Sequence, residues 1–438
     1  MSRHAHRRLL AVAVLAVVLC AGPPGASPAV AQWRLTNCNT AGQNLFVHDV
    51  LVDLYLWSQW VPPVNPGRYR SPEAYLEAVR YREFDTTFSY ISSREADEAF
   101  YSESQFVGLG LSQRVTGGEV QVLQVFEGSP AADAGLRRGD RILAIDGIPV
   151  ADLIAANLIS SAFGPAEVGY VVHLAYQSGD GPVVEVAMTK RVVTIPTVSA
   201  SRVLDVNGRR VGYLFFRNFV EPSFAALDAA FATFQAAGVE ELVLDLRYNG
   251  GGLVSVAEHL AGLVGGRRTE GQVFAEFSHN AENSYRNATM RFSVKPASLT
   301  LSRLVVITTR ASASASELVI NALRPFMPVV VVGDTTYGKP VGQYSIAFCD
   351  KVLHPVAFSL RNADGAADYF AGIPATCAAA DDAEHQLGDP AEASLAEALT
   401  YVRTDACSPK PSRAARTQSG VARGTFRPTG FRALVNAW

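Results

Sequence analysis

Apolar positions change their period three times along this chain. Between 40 and 104, Leu45, Val47, Val50, Leu51, Leu54 and Tyr55 recur at helical spacing. Ser71-Pro72-Glu73 reads as a helix start, with serine as the cap and proline in the first turn. Trp57, Trp60, Tyr75 and Tyr81 suit core or interface positions of that segment. From about 105 to 192 the texture becomes short strands punctuated by glycines, as in Val107–Leu111, Val120–Phe126 and Gly139–Gly147. Beyond 197 come unbroken apolar runs, Leu242–Leu246, Leu304–Thr308 and Val329–Val332. Helices are expected from near Val254 and from Ala315 to about Leu323. Continuous apolar strands alternating with helices predict a largely parallel, doubly covered sheet. The expected fold is multidomain α+β: a helical segment at 32–104, a β-rich domain at 105–196 and an α/β core at 197–408. Residues 409–438, rich in Arg, Ser, Thr and Gly, lack periodicity and read as a flexible tail.

The first 31 residues have a different character. Arg3, Arg7 and Arg8 precede an apolar run from Leu9 to Leu19, and Ala29-Val30-Ala31 closes a Pro/Gly/Ala stretch. This is the layout of a cleaved export signal, with Gln32 as the expected mature start. The run is too short for a stable membrane span. Cys20 offers a second reading as a lipid-bearing residue, although Leu19 before it is larger than that processing prefers.

Composition narrows the functional classes. A net charge of −3 gives no basis for binding nucleic acid. No CxxC or His/Cys cluster suggests a metal, and neither metal nor organic cofactor is expected. Export leaves Cys38, Cys349, Cys377 and Cys407, an even number that suggests two disulfides, with buried free thiols as the alternative. Three pairings are open; we expect Cys349–Cys377 and Cys38–Cys407, the second joining the two ends of the mature fold.

Within 105–196, Val107-Gly108-Leu109-Gly110-Leu111 is followed by Gly128–Leu136 and Gly139–Gly147. This succession resembles a PDZ domain. The resemblance implies that amides of the Val107–Leu111 loop receive a peptide's terminal carboxylate while the peptide adds as a strand. A PDZ fold that only packs against the core is the other reading.

Three strings carry candidate chemistry: Asp245–Gly252, Ser312-Ala313-Ser314-Ala315-Ser316-Glu317 and Thr336–Gln343. Ser314 with Glu317 reads as a helix capping box. It also reads as a nucleophile in a strand-to-helix turn, with the Ala315 amide facing a developing oxyanion. A serine hydroxyl needs a base. No motif places His259, His279 or His354 for that task, and each reads as core or surface. Lys339, 25 residues after Ser314, can serve if burial lowers its pKa from about 10.4 to roughly 7–8. Gln343 could orient its amine. On a straight strand residues 339 and 343 would be about 13 Å apart, so the chain must bend at Gly342. Gly250-Gly251-Gly252 allows close backbone approach, with Gly251 as a second oxyanion donor, Arg247 ordering the loop and Asn249 fixing the turn.

In this order the three strings resemble those of the carboxyl-terminal processing (tail-specific) protease family, serine-lysine peptidases with a PDZ domain. The family's nucleophile, base and glutamine fall on Ser314, Lys339 and Gln343. Tyr337 and Pro340 stand where Phe and Gly are usual, and Gly250 where proline is common. Pro340 removes a backbone N–H beside the base. The resemblance spans nearly the whole mature chain. It implies an exported, periplasmic or secreted endopeptidase acting near substrate C-termini, with substrates presented through the PDZ groove and an oligomer possible. Two other classes stay open: a silent peptide-binding protein and an envelope scaffold.

Overall fold

The computed structural model describes residues 33, 35 and 37–409. The expected signal segment, the Gln32 start, the Cys20 alternative and the tail from 410 onward lie outside the described residues. Among the described residues, no helix is long and apolar enough to cross a membrane.

The core is a six-stranded sheet in the order Val198–Val206, Arg209–Phe216, Glu241–Asp245, Leu304–Thr308, Val329–Gly333 and Cys377–Ala378. The first pair is antiparallel and every later pairing is parallel. All residues of Glu241–Asp245 and Leu304–Thr308 are buried, which explains runs with no polar alternation. On one face Val243, Val305, Ile307 and Val332 pack against Leu395, Leu399 and Val402 of helix Ala393–Thr404. The helices Val254–Gly265 and Ala315–Leu323 follow their strands as expected.

The 105–196 stretch forms an antiparallel sheet around a separate core of Leu109, Leu111, Val120, Val122, Ile142 and Val172, among others. Strand Leu111–Thr116 is its edge, paired only with Glu119–Val125. Arg138 of this domain reaches the core: it donates to Tyr248 Oη at 2.9 Å and to Asp381 Oδ1 at 3.2 Å. Asp381 also accepts from Arg114 at 2.9 Å. Burial pushes the Asp381 pKa up, but Arg247, Arg138, the Tyr248 hydrogen bond and Arg114 together hold it below the ordinary value.

The N-terminal segment carries helices Thr40–Leu54, Pro72–Val79 and Arg94–Glu103, the second capped by Ser71. It is not wholly helical, however. Strand Tyr90–Ser93 pairs antiparallel with Lys351–His354 of the core, which in turn pairs with Ile346–Phe348. Local periodicity missed this strand because its partner lies more than 250 residues away.

Both expected disulfide pairs are corrected. The bonds are Cys38–Cys349 and Cys377–Cys407, with Cα separations of 5.8 and 5.4 Å. Cys349 sits at the tip of the Ile346–His354 hairpin, and Phe348 there stacks on Phe46 of the first helix. That packing brings Cys349 to Cys38. Cys377 lies on the edge strand of the core sheet, beside the end of the last helix where Cys407 stands. The two ends of the described stretch are therefore each tied to the rest of the fold, not to one another.

Candidate active site

The string Ser312–Ser316 contains three serines with separate fates. Ser312 and Ser316 are fully buried. Ser312 Oγ donates to the Leu246 carbonyl at 2.8 Å and Ser316 Oγ to the Asn249 carbonyl at 2.9 Å. These bonds, with Ala313 N–H donating to Asn249 O at 3.1 Å, clamp the turn onto the 245–252 loop. Ser314 remains partly exposed at the N-cap of Ala315–Leu323. Its φ of 56° and ψ of −113° are sparsely populated for a residue with a side chain. Strain of this kind is of order 1–3 kcal/mol and persists only where the surroundings impose it.

Gly251 explains why its position is glycine. A Cβ there would lie 2.8 Å from Ser314 Cβ and 2.9 Å from Ala315 N. Its φ of +99° also excludes other side chains. Asn249 fixes the loop by donating to Phe216 O and accepting the Gly251 N–H, both at 2.9 Å. This second bond corrects the expectation for Gly251. Its amide is already engaged, so in this conformation it is not an open oxyanion donor, and its contribution is space. The Ala315 amide has no acceptor among the described residues. Arg247 acts at longer range: fully buried, it binds Asp245 and makes a two-pronged contact at 2.7 Å with Glu392.

Glu317 does more than cap a helix. Its buried carboxylate accepts from Ser314 N–H at 2.9 Å, Lys339 N–H at 2.8 Å, Gly338 N–H at 2.7 Å and Thr336 Oγ at 2.5 Å. One side chain thus binds the serine turn and the lysine segment. Burial raises its pKa, against the lowering effect of those hydrogen bonds.

Lys339 is buried, with Nζ hydrogen-bonded to Gln343 Oε1 and 5.7 Å from the centroid of the Phe88 ring. The bend needed to join residues 339 and 343 is present. The pairing of Val341–Gln343 with Val356–Arg361 shifts register between Gly342 and Gln343. A Cβ on Gly342 would overlap the Phe358 ring at 2.0 Å. Gln343 gives its amide hydrogens to Phe88 O and His354 O, both at 2.7 Å. Pro340 is accommodated, because the clamp to Glu317 uses the Lys339 amide, one residue earlier. Tyr337 places its hydroxyl 3.1 Å from Thr87 Oγ.

The histidines pair elsewhere: His259 with Asp228, His279 with Asn287 and Tyr344, and His354 with Asp97, Ser92 and Ser345. Sequence reasoning missed Phe88, which carries no motif and reaches the site only through folding, and gave no role to Thr336, which opens the lysine string and bonds Glu317. In the β-rich domain, Val107 and Gly108 belong to strand Gln105–Gly108, paired with Arg191–Thr194, and Leu111 opens the next strand, so the expected Val107–Leu111 loop shortens to Leu109 and Gly110; Leu109 and Leu111 are buried in the core. The amides of Leu109 and Gly110 have no acceptor among the described residues.

Comparison with known proteins agrees with this architecture. The family described as Peptidase family S41 matches residues 210–366, a PDZ domain matches 121–165, and the Peptidase S41 N-terminal domain matches 42–90. A carboxyl-terminal-processing protease of Picosynechococcus sp. is 31% identical over 245 residues, covering 54% of this chain and 55% of that protein. One of Synechocystis sp. is 26% identical over 233 residues, covering 53% and 52%. The chain thus spans about half the length of the curated relatives it matches. A crystal structure described as a candidate S41 protease of Bacteroides fragilis superposes with a TM-score of 0.68 at 27% identity, covering 82% of this chain and 97% of that one. The photosystem II D1 C-terminal processing protease shares the fold, with a TM-score of 0.50 at 21% identity.

Proposed function

This chain belongs to peptidase family S41 and carries a PDZ domain, and we propose that it is an exported serine endopeptidase cleaving protein or peptide substrates near their C-termini. Ser314 is the nucleophile, Lys339 the base and Gln343 the orienter of the amine. Neutral Lys339 takes the Ser314 proton as Oγ attacks the scissile carbonyl. The tetrahedral oxyanion is held by the Ala315 amide at a helix N-terminus. Lys339 then returns the proton to the leaving amine, and water releases the acyl group by the reverse sequence. The observation that carries this reading is the double hold on the two segments. Glu317 binds the backbone amides of both Ser314 and Lys339, while Gln343 engages the lysine amine.

The PDZ domain would capture a substrate's C-terminal residues, its carboxylate at the Leu109 and Gly110 amides and its strand along the edge Leu111–Thr116. Two disulfides support an oxidising compartment, periplasmic or extracellular. One observation favours a peptide-binding protein without turnover: the Gly251 amide is occupied by Asn249. A single assay separates the two. Mature protein and its Ser314→Ala, Lys339→Ala and Lys339→Arg variants are incubated with an unfolded protein, and fragments are read by mass spectrometry. All three variants should be inactive but folded, the arginine variant because guanidinium stays protonated. Cleavage by Lys339→Arg at the parent rate removes lysine as the base, and no cleavage by the parent protein supports the silent binder.

A further inference from the structure

Gln343 is held by two carbonyl oxygens from opposite regions of the chain. An amide that gives away both hydrogens cannot turn over without losing both bonds, so its Oε1 stays aimed at Lys339 Nζ. Whatever fixes the Phe88 and His354 carbonyls therefore fixes the lysine amine.

Each carbonyl leads back to a buried acid of the N-terminal segment. Asp85, fully buried, accepts from Ser89 N–H and from Tyr55 Oη, both at 2.9 Å. Arg80 closes the same turn by donating to the Thr86 and Ser89 carbonyls. The turn around Phe88 is thus built on the Asp85 carboxylate. On the other side, His354 Nε2 lies 2.8 Å from Asp97 Oδ1, and a carboxylate can only accept, so this nitrogen carries the hydrogen. Ser92 Oγ donates to the same oxygen at 2.9 Å. The Tyr90 ring stacks on the imidazole at 4.2 Å, and Tyr90 and His354 are register partners.

We propose that Asp85 and Asp97 are positioning residues for the general base, acting through the Phe88 and His354 carbonyls and through Gln343. This rests on the reading of Lys339 as that base. Asp85 reaches Gln343 through the Ser89 turn and the Phe88 carbonyl, and Asp97 through His354 and its carbonyl. The N-terminal segment is then a working part of the catalytic apparatus, because it supplies one of the two carbonyls and the carboxylate behind each.

The test is a set of double-mutant cycles in the full mature chain, with a fluorogenic peptide bearing a free apolar C-terminus. Asp85→Asn and Asp97→Asn are made singly and together with Gln343→Ala. Misplacing a base by about 1 Å can lower the rate by roughly 100-fold, so each single variant should lose about 10–100-fold in kcat with KM little changed. In the Gln343→Ala background the same changes should remove little more, since the pathway is already cut. Where turnover is too slow, the rate at which a fluorophosphonate labels Ser314 gives the same comparison. Multiplicative losses in the double variants, or an effect confined to KM, overturn the proposal. If Asp97→Asn does not fold, Ser92→Ala loosens the same carboxylate without removing it and is judged by the same cycle. Lys339→Ala separates the two levels. Full turnover in that variant removes the base itself. An inactive Lys339→Ala with multiplicative double variants removes only the positioning role.

Discussion

Replacing Glu317 by glutamine is the sharpest probe of how this site is assembled. The carboxylate accepts four hydrogen bonds, two at each oxygen. Glutamine keeps one acceptor oxygen and substitutes a donor NH₂ for the other. With NH₂ toward Thr336 and Gly338, the Thr336 hydroxyl can rotate and accept, but the Gly338 amide then faces a donor. With NH₂ toward Ser314 and Lys339, two amides face donors, so the first orientation should win. Its loss comprises one unsatisfied buried amide, about 1–3 kcal/mol, and the weakening of the remaining bonds from charge-assisted to neutral. Release of a charge whose burial is unfavourable offsets part of this. A destabilisation of about 2–4 kcal/mol is expected, a substantial share of a typical 5–15 kcal/mol stability. Urea denaturation in a Ser314→Ala background, which avoids self-cleavage, measures it. Activity in the Ser314-containing protein should fall less for Glu317→Gln than for Glu317→Ala, because only alanine frees the Ser314 and Lys339 amides together. A Glu317→Gln protein within about 0.5 kcal/mol of its parent, the usual range for inconsequential surface changes, would refute the reasoning.

Two further outcomes follow from the PDZ domain and its junction with the core. Full-length Ser314→Ala protein should bind a peptide with a free apolar C-terminus more tightly than its amidated form, by about 1–2 kcal/mol by calorimetry, and equal affinities would reject carboxylate capture at Leu109 and Gly110. Asp381 has a native pKa below its ordinary value of 3.8, so its stabilising contribution is present above that value and fades as pH falls through the lower, native one. Asp381→Asn should therefore destabilise the protein at neutral pH and shrink its difference from the parent below about pH 4, as followed by thermal melts across pH.

Much of this protein was legible in one dimension. The parallel strands announce themselves as unbroken apolar runs, because a strand covered on both faces has no solvent side on which to alternate. Helix Ala315–Leu323 announces its start through Ser314 and Glu317, since capping is a matter of residues three apart. The resemblance of three short strings put forward Ser314, Lys339 and Gln343 as candidates, and the bend at Gly342 that joins the last two followed from strand geometry alone.

What stayed hidden depends on contacts between distant parts of the chain. Cysteine pairing could not be inferred because an even count is silent on which hairpin reaches which helix. The engagement of the Gly251 amide by Asn249 was hidden because a glycine-rich string permits close approach without saying which N–H points outward. Glu317 looked like half of a capping box, yet three of its four bonds go to residues 19–22 positions onward. Phe88 and Asp97 carry no motif, and they reach Gln343 and His354 only because Tyr90–Ser93 pairs across more than 250 residues with Lys351–His354. Sequence by itself determined which groups are candidates for the chemistry, since that rests on residue type and near neighbours. Only the tertiary structure decided what holds those groups in place, because hydrogen bonds act over about 3 Å in space and take no account of separation along the chain.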